Sequence, residues 1–271
     1  MQGRIGVIGI ELEKSGLDRF NKINTITKLQ PVFSFENEDM QHIIKKMLDS
    51  GHRRLPIVNK SNSLVGIITL MDFLDAYLRK QDLKEKISSI MIRDVQHVDS
   101  DDSIGLLLQK FKISRRGGFP VTYKNKLEGM VSERDIVKHF DKSNFGFSVG
   151  EVMTKKPFFV HSHISILDCL KSMVNTRYRR LPLVAERKLV GIVTAFDILE
   201  YIKENDYNFV SLQNPLKDIV IDDVLSADKN QDVSESIKTM KKKNIGGLPV
   251  TDGNGILEGF ITERDILEVI V

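Results

Sequence analysis

Four short segments place a hydroxyl residue three positions before an aspartate, each after a glycine-containing hydrophobic run. The pairs are Thr69 and Asp72, Ser132 and Asp135, Thr194 and Asp197, and Thr262 and Asp265. A hydroxyl at a helix start can bond the N–H groups of the first turn. An acid at the third position of that turn is stabilised by the positive end of the helix dipole. The same N–H groups can bind an anion, and a carboxylate can accept both hydroxyls of a ribose. The segments are therefore candidates for helix capping and for binding a sugar phosphate.

Two arginine pairs stand directly before a Leu-Pro at the predicted start of a strand. They are Arg53 with Arg54 in "RRLPIV" and Arg179 with Arg180 in "RRLPLV". A guanidinium matches a phosphate with two parallel charge-assisted hydrogen bonds. Arginines at a helix-to-strand turn can instead be solvated or bond the last helix carbonyls. Their recurrence in duplicate positions favours phosphate binding.

Two further segments carry glycines where the arginine pairs stand. Gly117–Gly118 precede "FPV" and Gly246–Gly247 precede "LPV", and in these copies an arginine, Arg134 or Arg264, stands directly before the aspartate instead. The arginine therefore stands at the strand start in repeats 1 and 3 and at the helix start in repeats 2 and 4. We expect at least one glycine of each pair to end the preceding helix with a positive φ, and the other to let backbone approach a ligand.

These features belong to a fourfold internal repeat. Each copy contains a proline, and successive prolines are 64, 62 and 67 residues apart: Pro56, Pro120, Pro182 and Pro249. After each proline come a glycine, a Ser or Thr, and an aspartate, in the same order. The first copy resembles the third and the second resembles the fourth, which indicates a duplicated two-repeat unit. Apolar residues at helical spacing precede each proline, and the pattern predicts the order β-α-β-β-α. Units of about 60 residues bury little surface alone, so we expect them to pair.

The composition is that of an ordinary globular protein. The 271 residues carry 41% hydrophobic and 28% charged residues with a net charge of +3, which does not indicate a nucleic-acid or membrane protein. Cys169, the only cysteine, lies in an apolar helical stripe and is expected in the core. His161 and His163 could share a strand face, but no third metal ligand accompanies them. No hydrophobic run has the length of a membrane span, and no signal peptide is evident.

With four such copies, the sequence resembles a tandem of CBS domains. The proline strands, the glycine–hydroxyl–aspartate segments and the β-α-β-β-α order carry this resemblance over nearly the whole chain beyond about Leu29. It implies an α+β fold in which four repeats pair into two Bateman modules. Four-repeat chains resemble the gamma subunit of AMP-activated protein kinase and its stand-alone archaeal relatives.

The resemblance also implies roles for the residues. Asp72, Asp135, Asp197 and Asp265 would bind ribose, and Thr69, Ser132, Thr194 and Thr262 would contact ribose or phosphate. Phosphate would be bound by Arg53, Arg54, Arg179, Arg180, Arg134 and Arg264. No catalytic residue, metal ligand or cofactor is implied, since the clefts of such proteins bind adenine nucleotides as regulatory ligands.

We therefore expect a non-catalytic, cytoplasmic sensor of AMP, ADP or ATP that acts on a protein partner or as a homodimer. The expected units are an N-terminal segment at 1–28 and repeats at 29–80, 87–141, 149–203 and 217–271. One alternative is a sensor of S-adenosylmethionine or another adenosyl compound, which needs the aspartates but not the arginines. The other is a nucleic-acid-binding CBS protein, which the balanced charge disfavours.

Overall fold

The structure, a computed structural model of the chain, describes residues 17–140 and 143–270. Residues 1–16 of the predicted N-terminal segment lie outside the described residues, as do residues 141 and 271 at the predicted ends of repeats 2 and 4. The described elements run four times through β-α-β-β-α, which confirms the α+β repeat fold. Within these residues no helix combines the length and apolar character needed to cross a membrane.

The first half of the chain contains β1 (Lys28–Leu29), β2 (Ser34–Phe35), α1 (Met40–Ser50), β3 (Arg54–Val58), β4 (Leu64–Thr69), α2 (Leu70–Leu78), β5 (Val98–Asp99), α3 (Ile104–Ser114), β6 (Gly118–Tyr123), β7 (Lys126–Ser132) and α4 (Glu133–Val137). The second half contains α5 (Val149–Val152), β8 (Thr154–Lys155), β9 (Val160–His161), α6 (Ile166–Thr176), β10 (Arg180–Ala185), β11 (Lys188–Thr194), α7 (Ala195–Glu204), β12 (Ala227–Asp228), α8 (Val233–Lys243), β13 (Gly247–Thr251), β14 (Leu257–Thr262) and α9 (Glu263–Ile270). Short 3-10 turns lie at Ile23–Thr25, Ile87–Ser89, Phe209–Gln213 and Leu216–Ile219.

The first helix of each repeat begins and ends in the same way. Its N-cap side chain accepts a backbone hydrogen bond from the first turn, the usual role of Asp or Ser there: Asp39, Ser103, Ser165 and Asp232. Its C-cap residue has left-handed backbone geometry: Gly51, Arg115, Arg177 and Asn244. The last helical residue therefore stands three positions before the arginine or glycine pair in every repeat, and the chain turns directly into the central strand.

The repeats pair by exchanging the segment that precedes each one. Strand β1, which precedes the β-α-β-β-α elements of repeat 1, lies antiparallel to β7 of repeat 2, and β8, which precedes those of repeat 3, lies antiparallel to β14 of repeat 4. In return, Ile92 bonds Ile67 of repeat 1 through two backbone hydrogen bonds of 2.9 Å. Ile221 bonds Ile192 of repeat 3 in the same way at 3.2 Å. Repeats 1 and 2 therefore form one module, and repeats 3 and 4 the other.

Two apolar cores connect each repeat to the corresponding repeat of the other module. One buried cluster joins repeats 1 and 3, with α2 packed on α6 and α7, and a second joins repeats 2 and 4, with α4 packed on α9. Each repeat thus shares a sheet edge with its module partner and a hydrophobic core with its counterpart in the other module. The junctions between the last strand and the last helix of the four repeats consequently face one another.

Candidate functional site

The four predicted aspartates cap the helices that follow their strands. Both the backbone N–H and the hydroxyl of Thr69 donate to Asp72 Oδ2 at 2.7 Å. The same pair of bonds joins Ser132 to Asp135 at 2.8 and 2.6 Å, and Thr262 to Asp265 at 2.8 and 2.6 Å. In the remaining repeat, the Thr194 N–H donates to Asp197 Oδ2 at 2.6 Å and its hydroxyl accepts from the Asp197 N–H. The predicted capping role is therefore confirmed in all four repeats.

Capping occupies only one oxygen of each carboxylate. In the described part of the chain, Oδ1 of Asp72, Asp135 and Asp197 has no protein donor. Burial raises the pKa of Asp72 and Asp197, which means that their carboxylates have lost hydration. Hydroxyl donors from a ligand would replace that hydration at the free oxygen.

Asp265 differs from the other three aspartates. The Thr154 hydroxyl, in the exchanged strand β8, donates to Asp265 Oδ1 at 3.2 Å. Both oxygens of this carboxylate therefore already have protein donors. The same contact shows that a side chain at this position of the exchanged strand reaches the aspartate of the partner repeat.

The arginines before the central strands carry charge that no carboxylate among the described residues neutralises by direct contact. Within the described residues their side chains form no hydrogen bond and no ion pair: Arg53, Arg54, Arg179 and Arg180. Burial lowers the pKa of all four, and neighbouring arginines lower it further. A lowered arginine pKa marks a place where the charged form is disfavoured, so an anion bound there would be stabilising.

The other two predicted arginines form crossed ion pairs between the modules. Arg134 Nε of repeat 2 donates to Glu263 Oε1 of repeat 4 at 2.7 Å, and Arg264 Nε donates to Glu133 Oε1 at 2.7 Å. Arg134 also donates to the backbone and side-chain oxygens of Asn244 at 3.0 and 3.1 Å. These two arginines are thus held by protein acceptors, unlike the four arginines before the strands.

These charges form one group where the four repeats meet. Arg53 interacts electrostatically with Arg179 and Glu263, and Arg54 interacts with Glu133 and Arg264. We call the group the central arginine cluster; its members are Arg53, Arg54, Arg134, Arg179, Arg180, Arg264, Glu133 and Glu263. Six positive and two negative charges leave it a formal net charge of +4. In a largely buried setting this repulsion is weakly screened, so the cluster favours a multivalent anion.

The glycine pairs make room for these charged side chains. A Cβ atom at Gly118 would collide with the guanidinium of Arg54, and one at Gly246 would lie 2.6 Å from Glu263 Oε2 and 2.9 Å from Arg134 Nη2. The expectation of a positive φ in each pair is wrong, because the only described glycines with positive φ are Gly51, Gly146 and Gly255. The helix before each pair already ends at Arg115 or Asn244, so the glycines are needed for space.

Sequence reasoning missed five residues of this region. Glu133 and Glu263 stand directly before the predicted arginines in both even repeats, and that recurrence was the available signal. Lys28 and Thr154 join the site through strand exchange, which no local pattern reports, whereas His52 directly precedes Arg53 in the sequence. Lys28 Nζ lies 3.5 Å from His52 Nε2.

The minor candidates lie outside this site. Cys169 is buried in the core, and burial raises the pKa of its thiol to about 12. The rings of His161 and His163 stack at 5.6 Å. The described residues contain no group of three or more His, Cys, Asp or Glu residues suited to hold a metal ion.

Comparison with known proteins identifies the repeats. The sequence model described as "CBS domain" matches residues 24–79, 87–142, 149–204 and 216–271. The chain is 28% identical over 249 residues to the uncharacterized protein MJ1225 of Methanocaldococcus jannaschii, covering 82% of this chain and 89% of that protein.

Two solved structures have the same fold over most of the chain. The crystal structure of MJ1225, reported as a candidate archaeal homolog of g-AMPK, superimposes with a TM-score of 0.84 at 24% identity, over 93% of this chain and all of that chain. The structure of an uncharacterized conserved protein from Pyrococcus horikoshii superimposes with a TM-score of 0.65 at 25% identity, again over 93% of this chain and all of that chain. A CBS domain pair of protein MJ0100, crystallised with 5-methylthioadenosine and S-adenosyl-L-methionine, is 31% identical and covers 45% of this chain and 94% of its own, with a TM-score of 0.41.

Proposed function

Because the chain belongs to the CBS-domain family, we propose that it is a regulatory protein that binds adenine nucleotides and has no catalytic activity of its own. The observation that carries the proposal is the central arginine cluster beside four capping aspartates. Asp72, Asp135 and Asp197 offer a free carboxylate oxygen for ribose hydroxyls. The cluster, at a formal net charge of +4, offers the counter-charge for phosphates.

The regulatory step in this proposal is the neutralisation of the cluster. The cluster is built from all four repeats, so phosphates bound there would relieve repulsion between the two modules. AMP, ADP and ATP carry different charges and would stabilise the assembled state to different extents, which is the condition for a ligand to shift an equilibrium. The chain would thereby report the cellular adenylate state to a protein partner or to a second copy.

The alternatives fit the cluster less well. S-adenosylmethionine carries no phosphate and would leave the four unpaired arginines without a counter-ion. Nucleic acid needs a basic surface along its backbone, whereas the arginines before the strands are largely buried where the repeats meet. The cluster therefore favours a small multivalent anion.

Isothermal titration calorimetry at constant ionic strength tests the proposal. We expect heat of binding with AMP, ADP and ATP, and weaker binding of adenosine and S-adenosylmethionine, because these lack phosphates. Absence of heat with all three nucleotides at millimolar concentration would contradict the adenylate function. S-adenosylmethionine displacing AMP at lower concentration than ATP does would favour the adenosyl alternative.

A further inference from the structure

The four clefts are not equivalent, because one position of the exchanged segments carries isoleucine in two of them, lysine in the third and threonine in the fourth. In every cleft, the exchanged residue pairs with the residue that stands two positions before the hydroxyl residue capping the last helix. The pairs are Lys28 with Met130, Ile92 with Ile67, Thr154 with Phe260, and Ile221 with Ile192. The contact from Thr154 to Asp265 shows where a side chain at this position can reach. The exchanged position in the repeats of Asp72 and Asp197 is thus occupied by an isoleucine, and in the repeats of Asp135 and Asp265 by a polar residue.

The two polar clefts differ in charge. At the Asp135 cleft, Lys28 lies beside His52, and Arg54 approaches Ser132 closely: a Cβ built on Gly118 would collide with the Arg54 guanidinium and lie 3.3 Å from Ser132 Cβ. Neither Lys28 nor Arg54 has a carboxylate partner among the described residues.

The Asp265 cleft has uncharged residues at the corresponding positions. Thr154 takes the place of Lys28 and already bonds the aspartate. Tyr178 takes the place of His52 before the arginine pair, and its ring lies 6.3 Å from that of Phe158. A ligand entering here meets a hydroxyl and aromatic rings where the Asp135 cleft presents an ammonium and an imidazole.

We propose that the Asp135 cleft is the site selective for nucleotides with more than one phosphate, with Lys28 as the ligand-contacting residue that sets this selectivity and His52 as the residue that positions it. The inference rests on the proposed function. Asp135 would bind the ribose through its free Oδ1, Arg54 would bind the phosphates from the strand start, and Lys28 would add a second cation from the exchanged strand. His52, whose Nε2 lies 3.5 Å from Lys28 Nζ, would hold that ammonium in place. The Asp265 cleft would accept adenosine or AMP with little preference for added phosphates.

A reciprocal exchange of the distinguishing residues tests this assignment. The variant Lys28→Thr/His52→Tyr gives the Asp135 cleft the residues of its counterpart, and Thr154→Lys/Tyr178→His does the reverse. Each variant of the full chain is titrated with ATP, AMP and adenosine at constant ionic strength. Lys155→Thr is the matched control, because it removes one exposed lysine next to Thr154 from the opposite face of β8.

We expect Lys28→Thr/His52→Tyr to lose about tenfold to a hundredfold in ATP affinity at the tightest site, the range for a lost charge-assisted hydrogen bond. Its adenosine affinity should stay within about twofold of the original, because Asp135 is intact. The variant Thr154→Lys/Tyr178→His should gain an ATP preference at a second site, and Lys155→Thr should behave as the original chain.

The inference is overturned if the original chain binds ATP and Lys28→Thr/His52→Tyr keeps the same ratio of ATP to adenosine affinity. A parallel loss of adenosine and ATP binding by that variant, with no new ATP preference in the reverse exchange, also counts against it. If the original chain binds none of the three ligands, the proposed adenylate function itself fails, which is a separate outcome.

Discussion

Replacing both Arg179 and Arg180 by alanine is expected to weaken ATP binding roughly a hundredfold or more, from the loss of two or more charge-assisted hydrogen bonds to phosphate. Adenosine binding should change by less than about threefold, because neither guanidinium is needed for ribose. The loss of AMP affinity should lie between the losses for ATP and for adenosine. Both arginines are largely buried, without an ion pair among the described residues, and belong to the central arginine cluster.

The control for this experiment removes the same charge elsewhere. Arg79→Ala/Arg93→Ala takes away two exposed arginines, whose ion pairs with Asp75 and Glu36 lie on the surface. This variant should bind ATP almost as the original chain does, apart from a small long-range effect of net charge. Equal weakening of ATP, AMP and adenosine by Arg179→Ala/Arg180→Ala would show that the arginines serve the fold and not the phosphates.

Glu263→Gln is expected to lower the free energy of unfolding of the ligand-free protein by about 3 kcal/mol, the scale for breaking a largely buried ion pair. Arg134 would lose its partner at 2.7 Å, and the cluster would rise from a formal net charge of +4 to +5. Urea denaturation followed by circular dichroism measures the change. Saturating ATP should restore part of the loss, because its phosphates would supply the missing negative charge.

The crossed geometry provides an internal comparison. Glu133→Gln breaks the equivalent pair with Arg264 and should destabilise the protein by a similar amount. Glu235→Gln breaks an exposed pair with Lys238 and should cost less than about 0.5 kcal/mol. A change below about 0.5 kcal/mol for Glu263→Gln as well would mean that the central charges do not strain the ligand-free chain.

The repeat fold and the helix caps could be predicted because both depend on short-range patterns. A hydroxyl residue three positions before an aspartate specifies its own capping geometry, and Thr69 with Asp72 forms it within one turn of helix. The apolar stripe of the first helix is buried as its spacing predicted, with Met40, Ile43 and Met47 fully enclosed. Four copies of the same pattern made the family resemblance specific.

The pairing of charges across repeats could not be predicted because it depends on long-range packing. Arg134 meets Glu263, 129 residues away, only after the modules assemble. Lys28 was assigned to a separate N-terminal segment, yet its strand completes the sheet of repeat 2. The glycine pairs were explained by backbone conformation, whereas the structure explains Gly118 by the volume of Arg54.

Under the proposal, the strand exchange would let two modules of similar sequence bind different ligands. Each cleft combines an aspartate from one repeat with a side chain from the exchanged segment of the partner repeat. A single substitution at the exchanged position, such as threonine in place of Lys28, therefore changes one cleft and leaves the other three unchanged. The duplicated capping segments would bind ribose in the same way in every cleft. The residue at the exchanged position is free to set the charge of each cleft separately.

A crystal structure of the full chain grown with ATP tests the central claim most directly. The account predicts ribose hydroxyls within about 2.6–3.2 Å of a capping aspartate, Asp135 first, with the phosphates directed to Arg54 and the central arginine cluster. ATP bound with its ribose away from all four aspartates, or with its phosphates directed to bulk solvent, would contradict it.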